Sequence, residues 1–132
     1  MRTDSHDLTG AWDGVFSYSG ITGDRDTTPF LANITDRSGV IEGSIIEPHH
    51  HRDVTMEAVI VGQRIGNTVH FSKDYNTTGD EYRNTVLYYG VLSADGDMIT
   101  GEWRIGHWDG AFEMTRQASL GALVEENEEA TA

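Results

Sequence analysis

Lys73 is the only lysine in this chain of 132 residues, and its surroundings make it the first candidate for chemistry. It shares one face of an alternating, strand-like segment with Phe71 and Tyr75. Glu47 ends another such segment at the same end of the predicted sheet. A lysine beside a carboxylate can bind an anionic group, and a desolvated lysine can act as a base or an amine nucleophile. The alternative is a plain Lys73–Glu47 ion pair at the rim of the sheet, or a lysine whose ammonium group reaches water.

Aromatic residues with polar tips are predicted at the same end, namely Tyr18, Tyr75, Tyr82 and Trp108. Such rings suit a flat or partly apolar ligand. The alternative is that these rings only fill the end of a closed sheet, as side chains do in small barrels.

The run His49-His50-His51-Arg52-Asp53 is the most conspicuous polar stretch of the chain. Alternate histidines with Glu47 or Asp53 could hold a divalent ion, but ligands on a loop lack the rigid support that a metal site needs. We expect a solvated loop and predict no metal site and no cofactor. No phosphate-binding glycine loop and no Ser-His-Asp arrangement marks a catalytic residue, so none is assigned.

Eight strand-like segments must position these residues, with boundaries good to about two to four residues. They are Leu8–Tyr18, Pro29–Asp36, Val40–Glu47, Val54–Gln63, Thr68–Tyr75, Tyr82–Ser93, Met98–Ile105 and Gly110–Arg116. Tight turns are predicted at Asp36–Gly39, Arg64–Asn67 and Ala94–Asp97. Longer connections are predicted at Ser19–Thr28, Pro48–Asp53, Asn76–Glu81 and Gly106–Asp109. In an up-and-down order the longer connections share one end, where function usually lies.

Closure into an eight-stranded antiparallel barrel removes the exposed edges and leaves an interior for side chains or one small ligand. A short internal repeat of the pattern Trp-Asp-Gly-x-Phe supports closure, because it occurs at Trp12–Phe16 in the first segment and at Trp108–Phe112, which leads into the last segment. Those two strands become neighbours when a meander closes.

Period-two alternation assigns the inner face of four segments. The residues expected inside are Trp12, Gly14, Phe16 and Tyr18 in the first segment, Val69, Phe71, Lys73 and Tyr75 in the fifth, Ile99, Gly101, Trp103 and Ile105 in the seventh, and Phe112 and Met114 in the eighth.

The sixth segment is apolar on both faces, so its orientation depends on the turn that follows. We favour a type I turn over Ala94-Asp95 with Gly96 left-handed, which places Leu87 opposite Trp103 and Val91 opposite Ile99 inside the barrel. A two-residue turn would bring Tyr88 and Leu92 inward instead. Either turn leaves large apolar side chains of the sixth segment on the outer face, and Val59 and Val61 of the fourth segment are expected to point outward as well. An extended apolar outer surface suggests an interface between subunits, so we predict a homo-oligomer.

The formal net charge of −13 argues against nucleic acid and anionic membranes as partners. The chain has no cysteine, no apolar run long enough for a membrane span, and no signal-peptide pattern near its first residues. We therefore expect a cytoplasmic protein. Its predicted organisation is a flexible stretch over 1–7, a barrel over 8–116 and an acidic, disordered tail over 117–132.

Several segments of the barrel resemble the avidin and streptavidin family among the lipocalin-like, or calycin, barrels. These are Leu8-Thr9-Gly10-Ala11-Trp12, Val40-Ile41-Glu42-Gly43-Ser44, Thr68-Val69-His70-Phe71 and Ile99-Thr100-Gly101-Glu102-Trp103, with the spacing from Leu87 to Trp103. The chain also resembles small bacterial barrel proteins that end in a Gly-x-Trp-x-Ile…Trp-x-Gly-x-Phe pattern. The resemblance implies an eight-stranded barrel.

The biotin site of that family is not carried over. Its ligand-facing positions are held here by other residue types, namely Gly14, Tyr18, Ile45, Phe71 and Leu87. Only Trp103 and Thr85 fit. Biotin would leave its ureido oxygen unpaired in a buried site, which is costly, so biotin is not the expected ligand.

The favoured interpretation is a non-enzymatic barrel that binds a small apolar or anionic ligand at the long-loop end. The candidate ligand-binding residues are Tyr18, Glu47, Lys73, Tyr75, Thr85, Trp103 and Trp108. The alternatives are a cyclase or isomerase that uses the interior as a reaction chamber, and an oligomeric interaction module whose interior is filled by its own side chains.

Overall fold

The computed structural model describes residues 6–19, 27–48, 53–76 and 85–117. In these ranges the chain forms eight strands and no helix: β1 Gly10–Tyr18, β2 Thr27–Arg37, β3 Val40–Pro48, β4 Thr55–Ile65, β5 Thr68–Tyr75, β6 Val86–Leu92, β7 Met98–Ile105 and β8 Trp108–Arg116. The histidines of the 49–51 run, Tyr82 and most of the predicted terminal segments lie outside the described residues.

The strands form one closed antiparallel barrel in up-and-down order. Each strand pairs with the next along the chain, and β1 pairs with β8 to close the sheet. In that closing pair Phe16 lies opposite Phe112, and these are the two phenylalanines of the repeated Trp-Asp-Gly-x-Phe pattern. The predicted fold class is therefore confirmed.

Tight turns join the strands at one end of the barrel, as predicted. Between β2 and β3, Ser38 and Gly39 have φ of 55° and 94°. Two consecutive positive φ values belong to a two-residue type I′ turn, whose twist matches that of the flanking strands. The turn between β4 and β5 has Gly66 with φ 60° at its first position.

The connection between β7 and β8 is shorter than predicted. Ile105 pairs with Trp108, so only Gly106 and His107 form the turn, and β8 begins at Trp108 rather than at Gly110. The φ of Gly106 is 57°. A positive φ at the first of two turn positions is what a type II′ hairpin requires, and glycine supplies it without strain. The predicted long connection over Gly106–Asp109 was wrong.

The favoured orientation of β6 was also wrong. Tyr88 lies opposite Trp103 and Leu92 lies opposite Ile99, and all four side chains are buried. The outer face carries the residues that were expected inside, Leu87 and Val91.

The turn between β6 and β7 explains that reversal. Gly96 is left-handed with φ 80° and donates a hydrogen bond to the Ser93 carbonyl at 2.9 Å, as expected for the predicted turn. Asp97 then adds one more residue before pairing resumes between Ser93 and Met98. Because strand side chains alternate with period two, one extra residue moves the whole of β6 to the other face.

The barrel interior holds the inward-facing side chains of all eight strands. This core comprises Leu8, Trp12, Phe16, Phe30, Ala32, Ile34, Ile41, Ile45, Ala58, Ile60, Val69, Phe71, Val86, Tyr88, Leu92, Ile99, Trp103, Phe112 and Met114. At the tight-turn end Trp12 donates to the Leu8 carbonyl at 2.9 Å, and the Arg116 guanidinium lies 4.5 Å from the Trp12 ring centre. The polar residues of interest lie at the opposite end.

Candidate functional site

Lys73 and Glu47 come from two strands that do not pair with each other. Glu47 is the last inward-facing residue of β3, Lys73 lies on β5, and β4 separates the two strands. Because inward and outward residues alternate, Glu47 follows Ile45 on the inner face and Lys73 follows Phe71. Both side chains therefore project into the barrel near the end where the longer connections lie.

The two charged groups form a buried ion pair. Lys73 Nζ donates a hydrogen bond to Glu47 Oε1 at 2.8 Å, and the two side chains are 2% and 1% exposed. Tyr75 Oη donates to the other carboxylate oxygen, Glu47 Oε2, at 2.9 Å. The alternative of a Lys73–Glu47 ion pair is confirmed, but the pair is enclosed in the barrel rather than exposed at its rim.

Three aromatic rings surround the Lys73 ammonium group. Its Nζ lies 5.1 Å from the ring centre of Phe16, 4.7 Å from that of Tyr75 and 5.2 Å from that of Tyr88. Cations are attracted to the negative face of such rings at these distances. Phe71 stacks on Tyr88 with ring centres 4.7 Å apart and completes an aromatic wall.

Phe16 and Tyr88 were missing from the predicted set of site residues. Tyr88 was missed because the favoured turn placed Leu87 inside, whereas the two-residue alternative gave the observed face. Phe16 could have been predicted from the sequence, because it lies two residues before Tyr18 and therefore on the same face of the strand. The alternation predicts Phe16 inside the barrel but does not distinguish a core residue from a site residue.

Burial dominates the electrostatics of this cluster. Loss of water lowers the pKa of Lys73 from its usual range, although the charge and hydrogen bond of Glu47 oppose that change. Burial also raises the pKa of Tyr88 well above its usual range, and the negative charge of Glu47 adds to the effect. Tyr88 therefore stays neutral at physiological pH, while the Lys73 proton is held less tightly than that of an exposed lysine.

A second aromatic group adjoins the cluster. Tyr18 meets Trp103 edge-on with ring centres 4.7 Å apart, and it meets Trp108 at 5.7 Å. Trp103 is buried, and its ring centre lies 5.8 Å from that of Phe16, whereas Trp108 is 57% exposed. The predicted residues Tyr18 and Trp103 are thus connected to Lys73 through Phe16, and Trp108 covers Tyr18 from outside.

The position of Trp103 depends on a glycine in the neighbouring strand. Trp103 Nε1 donates to the Ser17 carbonyl at 3.0 Å. Gly110 on β8 lies beside this bond, and a Cβ added there would lie 2.7 Å from Trp103 Nε1 and would also clash with the Ser17 carbonyl oxygen. The absence of a side chain at Gly110 therefore lets the indole reach across to β1.

Thr85 is not brought to this cluster. It lies exposed just before β6, and its hydroxyl donates to Asp74 at 2.5 Å. The structure therefore groups Tyr18, Glu47, Lys73, Tyr75 and Trp103, with Trp108 at the edge, and leaves Thr85 on the outer surface.

The third buried charged residue in the described part of the chain is Asp36, at the tight-turn end. Its carboxylate accepts hydrogen bonds from the backbone N–H groups of Leu8 and Gly39 and from Arg64 Nε. Burial alone would raise the pKa of Asp36, but these hydrogen bonds outweigh burial and lower it. Asp36 thus secures a turn and the chain before β1, which is a structural role.

Other kinds of site are less supported in the described ranges. No three histidine, cysteine or carboxylate side chains are grouped there so that they could hold a metal ion. No helix among the described residues is long and apolar enough to cross a membrane.

Comparison with solved structures finds the same architecture in two redesigned β-barrels. One, designated b11L5F_LGL, superposes with a TM-score of 0.67 at 10% identity, covering 85% of this chain and 92% of the other. The second, mFAP1 bound to DFHBI, superposes with a TM-score of 0.65 at 10% identity, covering 86% of this chain and 97% of the other. At this identity the similarity shows a shared fold.

No protein-family model and no curated protein matches the chain. The comparisons therefore support an eight-stranded antiparallel closed barrel, whereas membership of the avidin-like or calycin-like families is not confirmed. The observed strand register also changes one residue of the predicted resemblance. The β6 residue that faces the interior opposite Trp103 is Tyr88, whereas the resemblance placed Leu87 there.

Proposed function

We propose that this barrel binds a small molecule at the long-loop end, where Lys73 and Glu47 provide the polar contacts. The aromatic wall of Phe16, Phe71, Tyr75 and Tyr88 lies beside them, and Tyr18 and Trp103 adjoin it. The expected ligand is small and flat, with an apolar body and an anionic or carbonyl oxygen.

The observation that carries this proposal is the buried ion pair of Lys73 and Glu47. Removing two charges from water costs free energy that their attraction often fails to repay, so a buried pair is a weak way to stabilise a fold. Asp36 secures backbone groups at the other end. By contrast, the hydrogen bonds that the side chains of Glu47 and Lys73 make with described residues are to each other and to Tyr75. Such a cluster suits a binding role better than a structural one.

The donors of Lys73 indicate what kind of ligand group would bind. An ammonium group has three N–H donors, and the acceptor that the described residues place within hydrogen-bond distance is Glu47 Oε1. A carboxylate or carbonyl oxygen of the ligand would accept a second hydrogen bond. Rings of Phe16 and Tyr88 beside Nζ would then contact the ligand's apolar body.

The redesigned barrel that binds the dye DFHBI supports the proposal in one limited respect. A β-barrel that superposes on most of this chain is thus found bound to a small molecule.

Titration with naphthoate tests the proposal, because naphthoate combines a flat apolar body with a carboxylate. Binding is read by calorimetry and by quenching of tryptophan fluorescence. We compare the wild type with the double variant Lys73→Met/Glu47→Gln, which removes both buried charges together. Arg37→Met is the matched control, since it removes one positive charge from an exposed residue at the tight-turn end.

We expect saturable binding by the wild type and by Arg37→Met. The double variant should bind more than about tenfold more weakly, because a hydrogen bond to a charged group contributes about 1.5–3 kcal/mol. Equal affinity of the wild type and the double variant would contradict the proposed site.

A further inference from the structure

The choice of lysine at position 73 is unusual for this chain. Its nine basic residues comprise Lys73 and eight arginines. Arginine forms ion pairs at least as well and is weakly hydrated, so it suits a buried pair better. The property that lysine has and arginine lacks is that it can lose its proton and become a nucleophilic amine.

The surroundings of Lys73 provide what an amine nucleophile needs. Glu47 Oε1 lies 2.8 Å from Nζ and can accept its proton. Tyr75 donates to Glu47 Oε2 at 2.9 Å and so holds the carboxylate in that position. The rings of Phe16 and Tyr88 face Nζ and would flank a flat substituent attached to it.

We propose that Lys73 condenses with an aromatic or conjugated aldehyde to form a protonated imine that pairs with Glu47. This inference rests on the proposed binding function and narrows its ligand to carbonyl compounds. The aromatic wall would receive the flat body of the aldehyde and place its carbonyl carbon at Nζ.

The proposed step is balanced without a further reactant. Glu47 takes a proton from the Lys73 ammonium group, and the free amine attacks the carbonyl carbon, forming a C–N bond while the carbonyl oxygen takes up a proton that the nitrogen loses. The resulting hydroxyl then takes the proton that Glu47 holds and leaves as water as the nitrogen lone pair forms the C=N bond. Ammonium and aldehyde thus become iminium and water, and Glu47 ends as the carboxylate that pairs with the new cation.

Two features of the cluster favour this product. Burial lowers the pKa of Lys73, so deprotonation costs less than it would for an exposed lysine. The iminium keeps the positive charge in the position that the ammonium group had, so Glu47 and the three rings that surround Nζ would stabilise it in the same way.

Reductive trapping on the folded, full-length chain tests this inference. The protein is incubated with naphthaldehyde and cyanoborohydride at neutral pH, and the modified residue is located by mass spectrometry of peptides. Because Lys73 is the only lysine, the competing amine is the α-amino group of the chain. In the denatured chain that group has on the order of a hundredfold more free amine than a lysine, since the ordinary pKa values differ by about 2.5.

We expect the folded protein to carry the label on Lys73 at least about tenfold more than on the α-amino group, with the preference reversed in denaturant. Lys73→Arg keeps the positive charge and should lose the label at position 73. If that variant does not fold, the distribution of label in the wild type still decides the question. Label on the α-amino group alone in the folded protein would overturn the inference.

A reversible control separates this inference from the proposed function. Naphthylmethanol has the same ring system and a hydroxyl oxygen that can accept a hydrogen bond from Lys73. Because it has no carbonyl group, it should compete with naphthoate without being trapped. Saturable binding of naphthaldehyde that competes with naphthoate but leaves Lys73 unlabelled would overturn the imine and leave the binding site standing. Failure of all three naphthyl compounds to bind would overturn both.

Discussion

Tyr75 on β5 donates a hydrogen bond of 2.9 Å to the carboxylate of Glu47 on β3, across the intervening strand β4. This bond occupies the carboxylate oxygen that Lys73 does not contact. It therefore fixes Glu47 in the position in which it pairs with Lys73. The polar cluster is held by three side chains from two strands, so its members should act on stability as a unit rather than as independent residues.

A double-mutant cycle at Lys73 and Glu47 should show this coupling. Lys73→Met leaves the Glu47 carboxylate buried without its partner, so we expect the free energy of unfolding to fall by about 3–5 kcal/mol at neutral pH. Lys73→Met/Glu47→Gln removes both charges and keeps an acceptor for Tyr75. It should recover most of the loss. Urea unfolding of the wild type, both single variants and the double variant measures the cycle.

A different result of this double-mutant cycle would contradict the expected coupling between Lys73 and Glu47. Additive losses, with the double variant less stable than either single variant, would mean that each residue stabilises the barrel through contacts of its own. The ion pair would then be structural, like that of Asp36 and Arg64 at the other end.

The lowered pKa of Lys73 predicts how stability depends on alkaline pH. Between the folded pKa and the ordinary value of about 10.4, the unfolded chain binds more protons than the folded chain at this residue. The contribution of Lys73 to the free energy of unfolding therefore rises with pH through this window. Above about pH 10 the raised pKa of Tyr88 acts in the opposite direction, because the folded chain keeps a proton that the unfolded chain loses.

Urea unfolding from about pH 7 to about pH 10 tests this dependence in the wild type and in Lys73→Met. The wild type should gain stability relative to the variant as the pH rises. In parallel, NMR of the single lysine gives its pKa directly. A constant stability difference, with a lysine pKa near its ordinary value, would show that Lys73 is solvated.

Most of the fold could be predicted from the sequence, because period-two alternation and glycine-containing turns depend on local residue types. The faces of β1, β5, β7 and β8 were predicted correctly in this way. The face of β6 could not be, because Leu87-Tyr88-Tyr89 is apolar on both sides and one additional turn residue, Asp97, decides its register. Similarly, the presence of Gly106 did not show whether β7 and β8 are joined by a tight turn or by a longer connection.

The site was predictable to a smaller extent. Alternation placed Lys73 and Glu47 inside the same end of the barrel, and their pairing was anticipated as the alternative to a free lysine. That Tyr75 would bind Glu47 depends on distances across non-adjacent strands, which a linear pattern does not contain. The contact of the Tyr88 ring with Lys73 was not predicted, because the predicted register of β6 placed Tyr88 outside the barrel.

Two tryptophans at the long-loop end should differ sharply in their effect on stability. Trp103 is buried, contacts Phe16 and Tyr18, and donates a hydrogen bond to Ser17. Trp103→Ala should therefore reduce the free energy of unfolding by about 3–5 kcal/mol. Trp108 is 57% exposed, so Trp108→Ala should cost less than about 1 kcal/mol. Chemical denaturation of both variants checks the pair, and similar losses would contradict the assigned faces.

The outer face of β4 to β6 is the surface through which we expect the barrel to associate with itself. Its five apolar side chains are 40–57% exposed and carry no charge: Val59, Val61, Leu87, Tyr89 and Val91. An exposed apolar patch of this kind often marks an interface between proteins. Light scattering should show an oligomer for the wild type and for Thr35→Lys on β2, but a monomer for Val61→Lys. A monomeric wild type would contradict this expectation.

Native mass spectrometry of the protein purified from the cells that naturally make it tests the central claim most directly. The intact mass is compared with the denatured mass for the wild type, Arg37→Met and Lys73→Met/Glu47→Gln. We predict a reproducible small-molecule adduct on the wild type and on Arg37→Met that is absent from the double variant. A wild type without an adduct, or an adduct that persists on the double variant, would contradict a ligand site at Lys73 and Glu47.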